Sequence, residues 1–469
     1  MYPTVPASGL HFKTALLPQG WARNVRIEHA GGRITRIEQG VKPASGDERG
    51  LVGLPGIPNL HSHAFQRGMA GLTERHGVNH DGFWSWRKLM YRFAARLAPE
   101  DLQALAAQAY VEMLEAGFTR VCEFHYLHHA PGGARYANPA EMVERIAAAA
   151  ADTGIGLSLL PVFYAHSSFG GAAPAAEQAR FVNDVDGYGQ LLEASRTALT
   201  GLHAARLGIA PHSLRAATPE ELRDILPLAA DGPVHIHIAE QPREVIECEA
   251  MLGARPVQWL LNEMPVDARW CLIHATHVTG DELAGLAASG AVAGLCPITE
   301  ANLGDGLFPV ATYQAQGGRF GVGTDSNLLI DLAEELRLLD YGQRLRNGIR
   351  NALATPERST GRALFEATLQ GGLRASGVGM GASADSDEPA SAVGLHAGAH
   401  ADILSLADHV ALTGRGDDAI LDSFIYAARP GLIDCVWRAG HKLVCNGVHA
   451  QRASIATRFR ATLQRLLNE

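Results

Sequence analysis

The 469-residue chain has little lysine, few cysteines and no long apolar segment. Its 6 cysteines are scattered without a CxxC pair, which argues against a disulfide framework or a zinc ribbon and favours buried, reduced thiols. The longest weakly polar stretch, Leu283 to Ile298, is too short to span a bilayer. A formal net charge of -9, without lysine or arginine runs, excludes a basic surface for nucleic acid or membranes. Since the start, MYPTVPASGL, shows no signal peptide, we expect a cytoplasmic protein.

From about residue 51 onward, apolar runs alternate with amphipathic segments. Continuous apolar runs are typical of parallel strands that helices cover on both faces. Their repeated alternation predicts an α/β fold with a (β/α)8 TIM-type barrel. A doubly wound sheet is the competing interpretation, but the first turn has no GxGxxG and polar residues follow most strands. The predicted strands are residues 51–60, 119–124, 155–165, 205–211, 233–239, 269–275, 291–297 and 319–324, and the predicted helices are 99–116, 139–151, 174–199, 219–230, 242–252, 279–289 and 331–354, with a short helix within 302–318.

Both ends of the chain carry strand-like segments. The alternation in WARNVRIEHAGGRITRIEQG predicts a hairpin that turns at Gly31-Gly32. GAHADILSLADHVAL and LIDCVWRAGHKLVCNGVHA, near the other end, are also strand-like. The acidic segment ADSDEPASA is predicted to be an exposed loop. The expected division is a small β-sandwich domain from residues 1–54 and 383–455, a barrel from residues 55–382 and a C-terminal helix from residues 456–469.

Two His-x-His pairs occur at predicted strand positions, one at His61 and His63 and the other at His235 and His237. Residues i and i+2 of a strand face the same side, so two imidazoles at the C-terminal mouth of a barrel can converge on one metal. A chain with 21 histidines also produces such pairs by chance, and surface or capping histidines are the alternative. HExxH, P-loop and GxSxG elements are absent, and the first pair lacks the HxHxDH continuation of metallo-β-lactamases.

Three polar residues at later strand ends fit the same mouth of the barrel. Glu240 follows His237 at a strand-to-loop corner suited to acid–base chemistry, although a glutamate that starts the next helix is the alternative. His274 ends the sixth strand, where a buried structural histidine is the alternative, and His277 in the following turn is the weaker candidate. Asp325 ends the eighth strand after small residues, a position suited to metal ligation or proton abstraction. Strands one, five, six and eight together therefore predict a metal site.

The motifs resemble the amidohydrolase superfamily, on its deaminase branch. The resemblance rests on PGIPNLHSHAFQRGMAG, HIHIAEQ, LIHATHVT, CPITEANLGDG and GVGTDSN, within residues 55–327. FWSWRKLMYRF, at residues 83–93, and the CPITEANLGDG segment are most similar to the N-formimino-L-glutamate deiminases of histidine degradation. The chain ends match only in architecture. The resemblance implies a metal-dependent hydrolase of a non-peptide C–N bond, assembled as a homodimer.

The resemblance also implies four metal ligands: His61, His63, His237 and Asp325. Three imidazoles and a carboxylate suit zinc. Two-metal relatives commonly bridge their ions with a carbamylated lysine at the end of strand four. This chain has no lysine between Lys88 and Lys442, so that bridge is excluded, while glutamate and cysteine bridges stay open. We therefore predict one Zn²⁺ per protomer.

The implied reaction hydrolyses N-formimino-L-glutamate to N-formyl-L-glutamate and ammonia. In this hypothesis Asp325 accepts the proton of the attacking water, His274 orients or stabilises the attacking oxygen, and Glu240 protonates the imino nitrogen. The two carboxylates of the substrate call for arginines. The candidates are Arg87, in the loop after strand one, and Arg215, after strand four. The family's remaining substrate contacts are similar in position to Gln66, Tyr126 and His212.

Several alternatives stay open at this point. Arg87 lies among aromatic residues at helical spacing, where an arginine can simply extend along the surface. A related deaminase that acts on a heterocycle such as guanine is the second functional hypothesis, and a non-catalytic scaffold is the third. The sequence also does not distinguish ammonia from formamide as the product that leaves.

Overall fold

The protein combines a barrel of parallel strands with a second sheet built from both chain ends. The computed structural model describes residues 9–74, 82–378 and 393–468. The strands are β1 (Leu10–Leu17), β2 (Gly20–Ala30), β3 (Arg33–Glu38), β4 (Glu48–Pro55), β5 (Ile57–Ser62), β6 (Phe118–His125), β7 (Gly156–Phe163), β8 (Arg206–Leu207), β9 (Ala210–Pro211), β10 (Val234–Ile238), β11 (Trp270–His274), β12 (Val292–Leu295), β13 (Arg319–Val322), β14 (Ile403–Leu406), β15 (Ile433–Arg438), β16 (His441–Cys445) and β17 (Val448–His449). The α-helices are α1 (Phe83–Ala94), α2 (Pro99–Glu115), α3 (Glu141–Thr153), α4 (Val185–Ala198), α5 (Pro219–Ile225), α6 (Pro242–Leu252), α7 (Pro256–Glu263), α8 (Gly280–Ser289), α9 (Pro297–Leu303), α10 (Val310–Ala315), α11 (Leu332–Asn347), α12 (Thr360–Ala375), α13 (Asp418–Asp422) and α14 (Arg452–Asn468).

Strands β5 to β13 form the barrel. Parallel pairing connects β5, β6, β7, β8 and β9, and separately β10, β11, β12 and β13. Two parallel bridges join these groups into a ring, Ile209 with Val234 and Ser62 with Asp325. The fourth strand position is shared by β8 and β9, which lie on either side of Gly208-Ile209. The predicted (β/α)8 TIM-type barrel is therefore confirmed.

Apolar side chains fill part of the interior of the barrel. Leu60, Cys271 and Ile273 form a buried cluster with Ala375, the last residue of α12. The ring of His235 hydrogen-bonds the carbonyl oxygen of Ala375, Nε2 to O 2.7 Å. In barrels of this kind, polar side chains that serve chemistry gather at the C-terminal ends of the strands.

The second sheet has the strand order β17-β16-β15-β14-β4-β1-β2-β3, so it takes strands from both chain ends. The predicted hairpin is confirmed, because β2 and β3 pair next to the turn through Ala30 and Arg33. The sheet has its own core, in which the rings of Phe12 and Trp437 lie 6.1 Å apart. The exact domain limits stay a prediction, and the acidic ADSDEPASA segment lies outside the described residues.

Several predicted elements are wrong in extent, and one of them is the predicted helix at 331–354, which ends at Asn347. The apolar run 51–60 contains the end of β4 and most of β5, which belong to different sheets and are separated at Gly56. The predicted helix at 174–199 begins only at Val185, after a short 3-10 turn at Ala176–Gln178. Asp184 accepts a hydrogen bond from Gly187 N, which caps α4 and fixes where it starts. Among the described helices, none is both long and apolar enough to cross a membrane.

Candidate metal centre and active site

His61, His63, His237 and Asp325 converge at the C-terminal mouth of the barrel. The Nε2 atom of His61 lies 3.2 Å from Nε2 of His63 and 3.1 Å from Nε2 of His237. Oδ1 of Asp325 lies 3.3 Å from His61 Nε2 and 3.1 Å from His63 Nε2. A tetrahedral zinc site with bonds of about 2.0–2.1 Å separates its ligand atoms by about 3.3 Å. The four separations are therefore short enough for these donor atoms to share one metal ion.

The hydrogen-bond partners of the histidines also indicate a metal site. The Nδ1 atom of His63 hydrogen-bonds Phe124 O at 3.0 Å, and Nδ1 of His237 hydrogen-bonds His212 O at 3.1 Å. A carbonyl only accepts, so each Nδ1 carries the hydrogen and each Nε2 has its lone pair free. Burial lowers the pKa of His61 to about 3 and that of His237 well below its usual range. Neutral nitrogen lone pairs this close to each other repel unless a cation lies between them, so these residues fit a metal ion.

The ends of β5 and β13 are fastened together, which brings Asp325 to the histidines. Asp325 N donates to His61 O and His63 N donates to Asp325 O, each at 2.9 Å. A Cβ at Gly323 would lie 2.7 Å from His61 N, so only glycine permits this approach. Asn327 Nδ2 donates to Ser62 Oγ at 3.1 Å and to Asp325 O at 3.2 Å. This network fixes the backbone that carries three of the four clustered side chains.

Glu240 and His274 lie beside this cluster. Nε2 of His274 is 3.6 Å from Glu240 Oε1 and 3.8 Å from Asp325 Oδ2. Burial raises the pKa of Glu240 to about 7. Burial opposes protonation of His274, but Glu240, Glu300 and Asp325 outweigh it and raise its pKa to about 10. Asp325 is buried too, yet the imidazoles of His61 and His63 beside it hold its pKa well below the usual range. The site thus places two groups with raised pKa values, Glu240 and His274, next to a carboxylate with a lowered one.

One cavity joins the metal-type cluster to the predicted substrate residues. Gln66 lies in a 3-10 helix that follows β5, Tyr126 follows β6, and His212 follows β9. Gln66 Nε2 donates to Tyr126 Oη at 2.8 Å. The predicted site residues that line this cavity are His63, Gln66, Arg87, Tyr126, His212, Arg215, His237, Glu240, His274 and Asp325. His61 lies beneath them, fully buried.

The two arginines of the cavity share one aromatic neighbour. Arg87 lies in α1, so its placement in a loop was wrong. Its Cζ atom lies 5.3 Å from the ring centroid of Trp84, and Cζ of Arg215 lies 5.7 Å from the same centroid. Arg87 Nε also donates to Tyr91 Oη at 2.6 Å. Arg215 is buried, and its Nη2 atom lies 4.0 Å from Oε2 of Glu244. Its Nε atom has no hydrogen-bond partner among the described residues. Two guanidinium groups are thus held at the wall of the cavity with donors to spare.

Sequence reasoning did not separate the two members of the second histidine pair in advance. His237 joins the cluster, whereas His235 hydrogen-bonds Ala375 O, the carbonyl of the last residue of α12. His277 is not among the described residues that line the cavity. Glu300, which contacts His274, was missed, although it lies in the CPITEANLGDG segment where a polar residue follows a strand end. Trp84 was missed because nothing in the local sequence around an aromatic residue indicates a contact with an arginine far along the chain.

Comparison with known protein families gives two matches along the chain. A model described as amidohydrolase family matches residues 52–443. A model described as formimidoylglutamate deiminase HutF, N-terminal domain, matches residues 8–51. The first match covers the barrel together with β14 and β15 of the second sheet, and the second covers β1, β2 and β3 at the N-terminal end.

Individual relatives agree with these matches. A formimidoylglutamate deiminase of Pseudomonas aeruginosa is 46% identical over 465 residues, which is 98% of this chain and 100% of the relative. An 8-oxoguanine deaminase of the same organism is 29% identical over 344 residues, 70% of this chain and 73% of the relative. The crystal structure of an amidohydrolase from Brucella melitensis superposes with a TM-score of 0.93 at 52% identity and covers 98% of this chain and 100% of that one.

Proposed function

The chain belongs to the amidohydrolase family, and we propose that it hydrolyses N-formimino-L-glutamate to N-formyl-L-glutamate and ammonia, a step of histidine degradation. The near full-length similarity to a formimidoylglutamate deiminase and the match to its N-terminal domain support this substrate. The observation that carries the proposal is a single cavity lined both by the His/Asp cluster with Glu240 and by two arginines. Such a cavity has the groups needed to attack a C=N bond and to hold a dicarboxylate.

We propose zinc as the metal, with one ion per protomer. The residues that would hold it are His61, His63, His237 and Asp325. When bound, zinc supplies an activated water at neutral pH, because it lowers the pKa of water from about 15.7 to about 7. A second group of metal-type side chains, His274, Cys296 and Asp325, shares Asp325 with the first. The chain has no lysine between Lys88 and Lys442 that could bridge two ions as a carbamate, which supports a single ion.

The proton transfers of the reaction fall to Asp325, His274 and Glu240. Asp325 is ionised and can accept a proton from the attacking water. His274 directs Nε2 toward Asp325 and Glu240, where a donated hydrogen bond stabilises the attacking oxygen. Glu240 is near its point of half-protonation at neutral pH, so it can protonate the imino nitrogen and then assist the departure of ammonia. Each of these three side chains lines the cavity.

The arginines select for the glutamate part of the substrate. A planar guanidinium group can hold a carboxylate through two parallel hydrogen bonds. Arg87 and Arg215 lie against the same indole ring, so they present positive charge to the same part of the cavity. Gln66, Tyr126 and His212 supply neutral hydrogen-bonding groups along the same wall. A neutral heterocycle would leave Arg87 without a counter-charge, which disfavours guanine as the substrate.

Replacement of Arg87 by Ala is expected to raise KM for N-formimino-L-glutamate by about 10- to 100-fold, because a charge-assisted hydrogen bond is worth about 1.5–3 kcal/mol. A neutral formimino compound should show an unchanged KM. The matched control is Arg243→Ala. Arg243 Cζ lies 4.7 Å from the same Trp84 ring, yet its side chain is 63% exposed and pairs with Glu247. Steady-state kinetics of both variants provide the measurement. An equal rise in KM for both variants would show that Arg87 does not bind a carboxylate of the substrate.

The proposed reaction is tested by incubating the purified protein with N-formimino-L-glutamate, guanine and 8-oxoguanine in parallel. Ammonia and formamide are measured in each reaction. Ammonia with N-formyl-L-glutamate is the expected result. Formamide with glutamate would mean that the other C–N bond is cleaved, and turnover of a purine alone would replace the proposed substrate with a heterocycle.

We propose a cytoplasmic homodimer as the working form. The six cysteines are all free, and five of them are buried, as in proteins that fold in a reducing compartment. The exposed face of α11 carries Tyr341 and Leu345, which are 40% and 85% exposed, and Ile349 follows at 54%. An apolar group of this kind on one face supports contact with a second copy of the chain.

A further inference from the structure

Glu300 contacts His274 on the side away from the cavity centre. It lies in α9, directly after the seventh strand position of the barrel, and is only 5% exposed. Its Oε1 atom accepts a hydrogen bond from Cys296 N at 2.9 Å and lies 3.2 Å from Nδ1 of His274. One carboxylate oxygen thus links the start of α9 to the imidazole.

This contact fixes which nitrogen of His274 faces the reacting groups. A carboxylate accepts, so Nδ1 of His274 carries a hydrogen and donates it to Glu300. The ring is then oriented with Nε2 on the opposite side, 3.6 Å from Glu240 Oε1 and 3.8 Å from Asp325 Oδ2. Rotation of the ring about its Cβ–Cγ bond would break the Nδ1 contact and withdraw Nε2 from both carboxylates.

A role limited to capping the helix does not account for a carboxylate at this position. The cap itself, a bond from Cys296 N, needs only a neutral acceptor such as the amide oxygen of glutamine. The contact that the cap does not require is the one with His274 Nδ1.

We propose that Glu300 is a positioning residue for the hydrolytic reaction: it holds the ring of His274 so that Nε2 donates into the cavity. The inference rests on the proposed function, since it assigns to His274 a role in the transition state. Glu300 is not among the described residues that line the cavity, so it acts on the substrate only through His274. Its removal should therefore affect the rate of the chemical step and leave substrate binding unchanged.

The test compares Glu300→Ala and Glu300→Gln with wild type, both as metal-loaded full-length protein. Glu300→Ala should lower kcat by about 10- to 100-fold, the usual effect of losing a partner that orients an active-site histidine, with KM and metal content unchanged. Glu300→Gln keeps an acceptor oxygen for both bonds and should retain kcat within about tenfold of wild type. A Gln variant as slow as the Ala variant would overturn the positioning role.

Two further variants separate positioning from general structural damage. Glu335→Ala removes another buried carboxylate that caps α9, since it accepts from Ile298 N at 3.0 Å, but it does not line the cavity among the described residues. It should keep kcat near wild type, and a loss equal to that of Glu300→Ala would overturn the proposal. The His274→Ala/Glu300→Ala double variant should be no slower than His274→Ala alone, because the two residues act as one unit.

Failure of the proposed function gives a different result. In that case wild-type protein does not release ammonia from N-formimino-L-glutamate at all, and the variants are compared on whichever substrate it does turn over. In the other case, the wild-type protein is active. If the fold-losses in kcat of His274→Ala and Glu300→Ala then multiply in the double variant, the proposed function stands and the role of Glu300 is wrong.

Discussion

Replacement of Glu240 by Gln is expected to lower kcat for N-formimino-L-glutamate by about 10²-fold or more, with bound metal unchanged. Glutamine has the shape of glutamate but cannot transfer a proton to the imino nitrogen. Burial raises the pKa of Glu240 to about 7, so the native carboxyl group can gain and lose a proton at neutral pH. Since Glu240 is not a member of the clustered ligand set, elemental analysis should give the wild-type metal content. The measurement is kcat at saturating substrate, together with that analysis.

Glu123→Gln is the matched control for this experiment. Glu123 is also buried, at 1% exposure, and burial raises its pKa to about 7 as well. It accepts a hydrogen bond from Ala64 N at 2.7 Å, which a glutamine oxygen can also accept, and it is not among the described residues lining the cavity. We expect kcat of this variant within a few-fold of wild type. A fully active Glu240→Gln variant would show that Glu240 takes no part in the mechanism. Equal losses of kcat in Glu240→Gln and Glu123→Gln would mean that the loss of any buried carboxyl group lowers the rate.

Replacement of His61 by Ala is expected to abolish both metal binding and activity. Its Nε2 lies within 3.3 Å of the donor atoms of His63, His237 and Asp325, so its loss leaves an incomplete ligand set. Wild-type protein should contain about one zinc ion per chain, and a chelator should remove it together with the activity. Elemental analysis and an assay before and after restoring zinc provide the measurement. Two tightly bound ions per chain in wild type would contradict the single-metal proposal.

The second histidine pair supplies the control for His61. His235→Ala also removes a fully buried imidazole from the barrel interior, since His61 and His235 are both 0% exposed. Its partner is Ala375 O, away from the cluster. The folded His235→Ala protein should therefore retain its metal, although the cavity that it leaves should lower the melting temperature. Loss of metal from both variants to the same extent would mean that barrel packing, rather than ligation by His61, controls the metal content.

Hydrophobic patterning predicted the barrel because its strands are buried on both faces and its helices on one. It did not predict where one sheet ends and the next begins. Residues 51–60 form a continuous apolar run, yet β4 pairs with β1 and β14 while β5 pairs with β6. Those partners lie far apart in the chain, so no local pattern records the change at Gly56. The helix predicted at 174–199 began too early for a related reason. Asn183 N donates to Tyr164 O, and this tertiary hydrogen bond keeps the segment before α4 from forming a helix.

Patterning also indicated which residues meet at the mouth of the barrel, since each of them ends a strand. Their roles as ligands, acid and base stay predictions until the variants are measured. Patterning could not distinguish His237 from His235, because both face the barrel interior and differ only in depth. It also gave no indication of Trp84 beside Arg87 and Arg215, since Arg215 is more than a hundred residues away from that tryptophan in the chain.

The sequence by itself determined the class of fold, the chemistry of the donors and the lack of a lysine bridge, since residue type and strand periodicity are local properties. The tertiary structure alone decided which donors meet, how far apart their atoms lie and which neighbour fixes each imidazole. The close approach at Gly323 and the bond from His274 to Glu300 both join residues from separate strand-to-helix corners. Such contacts depend on closure of the ring, in which every strand constrains its neighbours, and closure is a property of the whole chain.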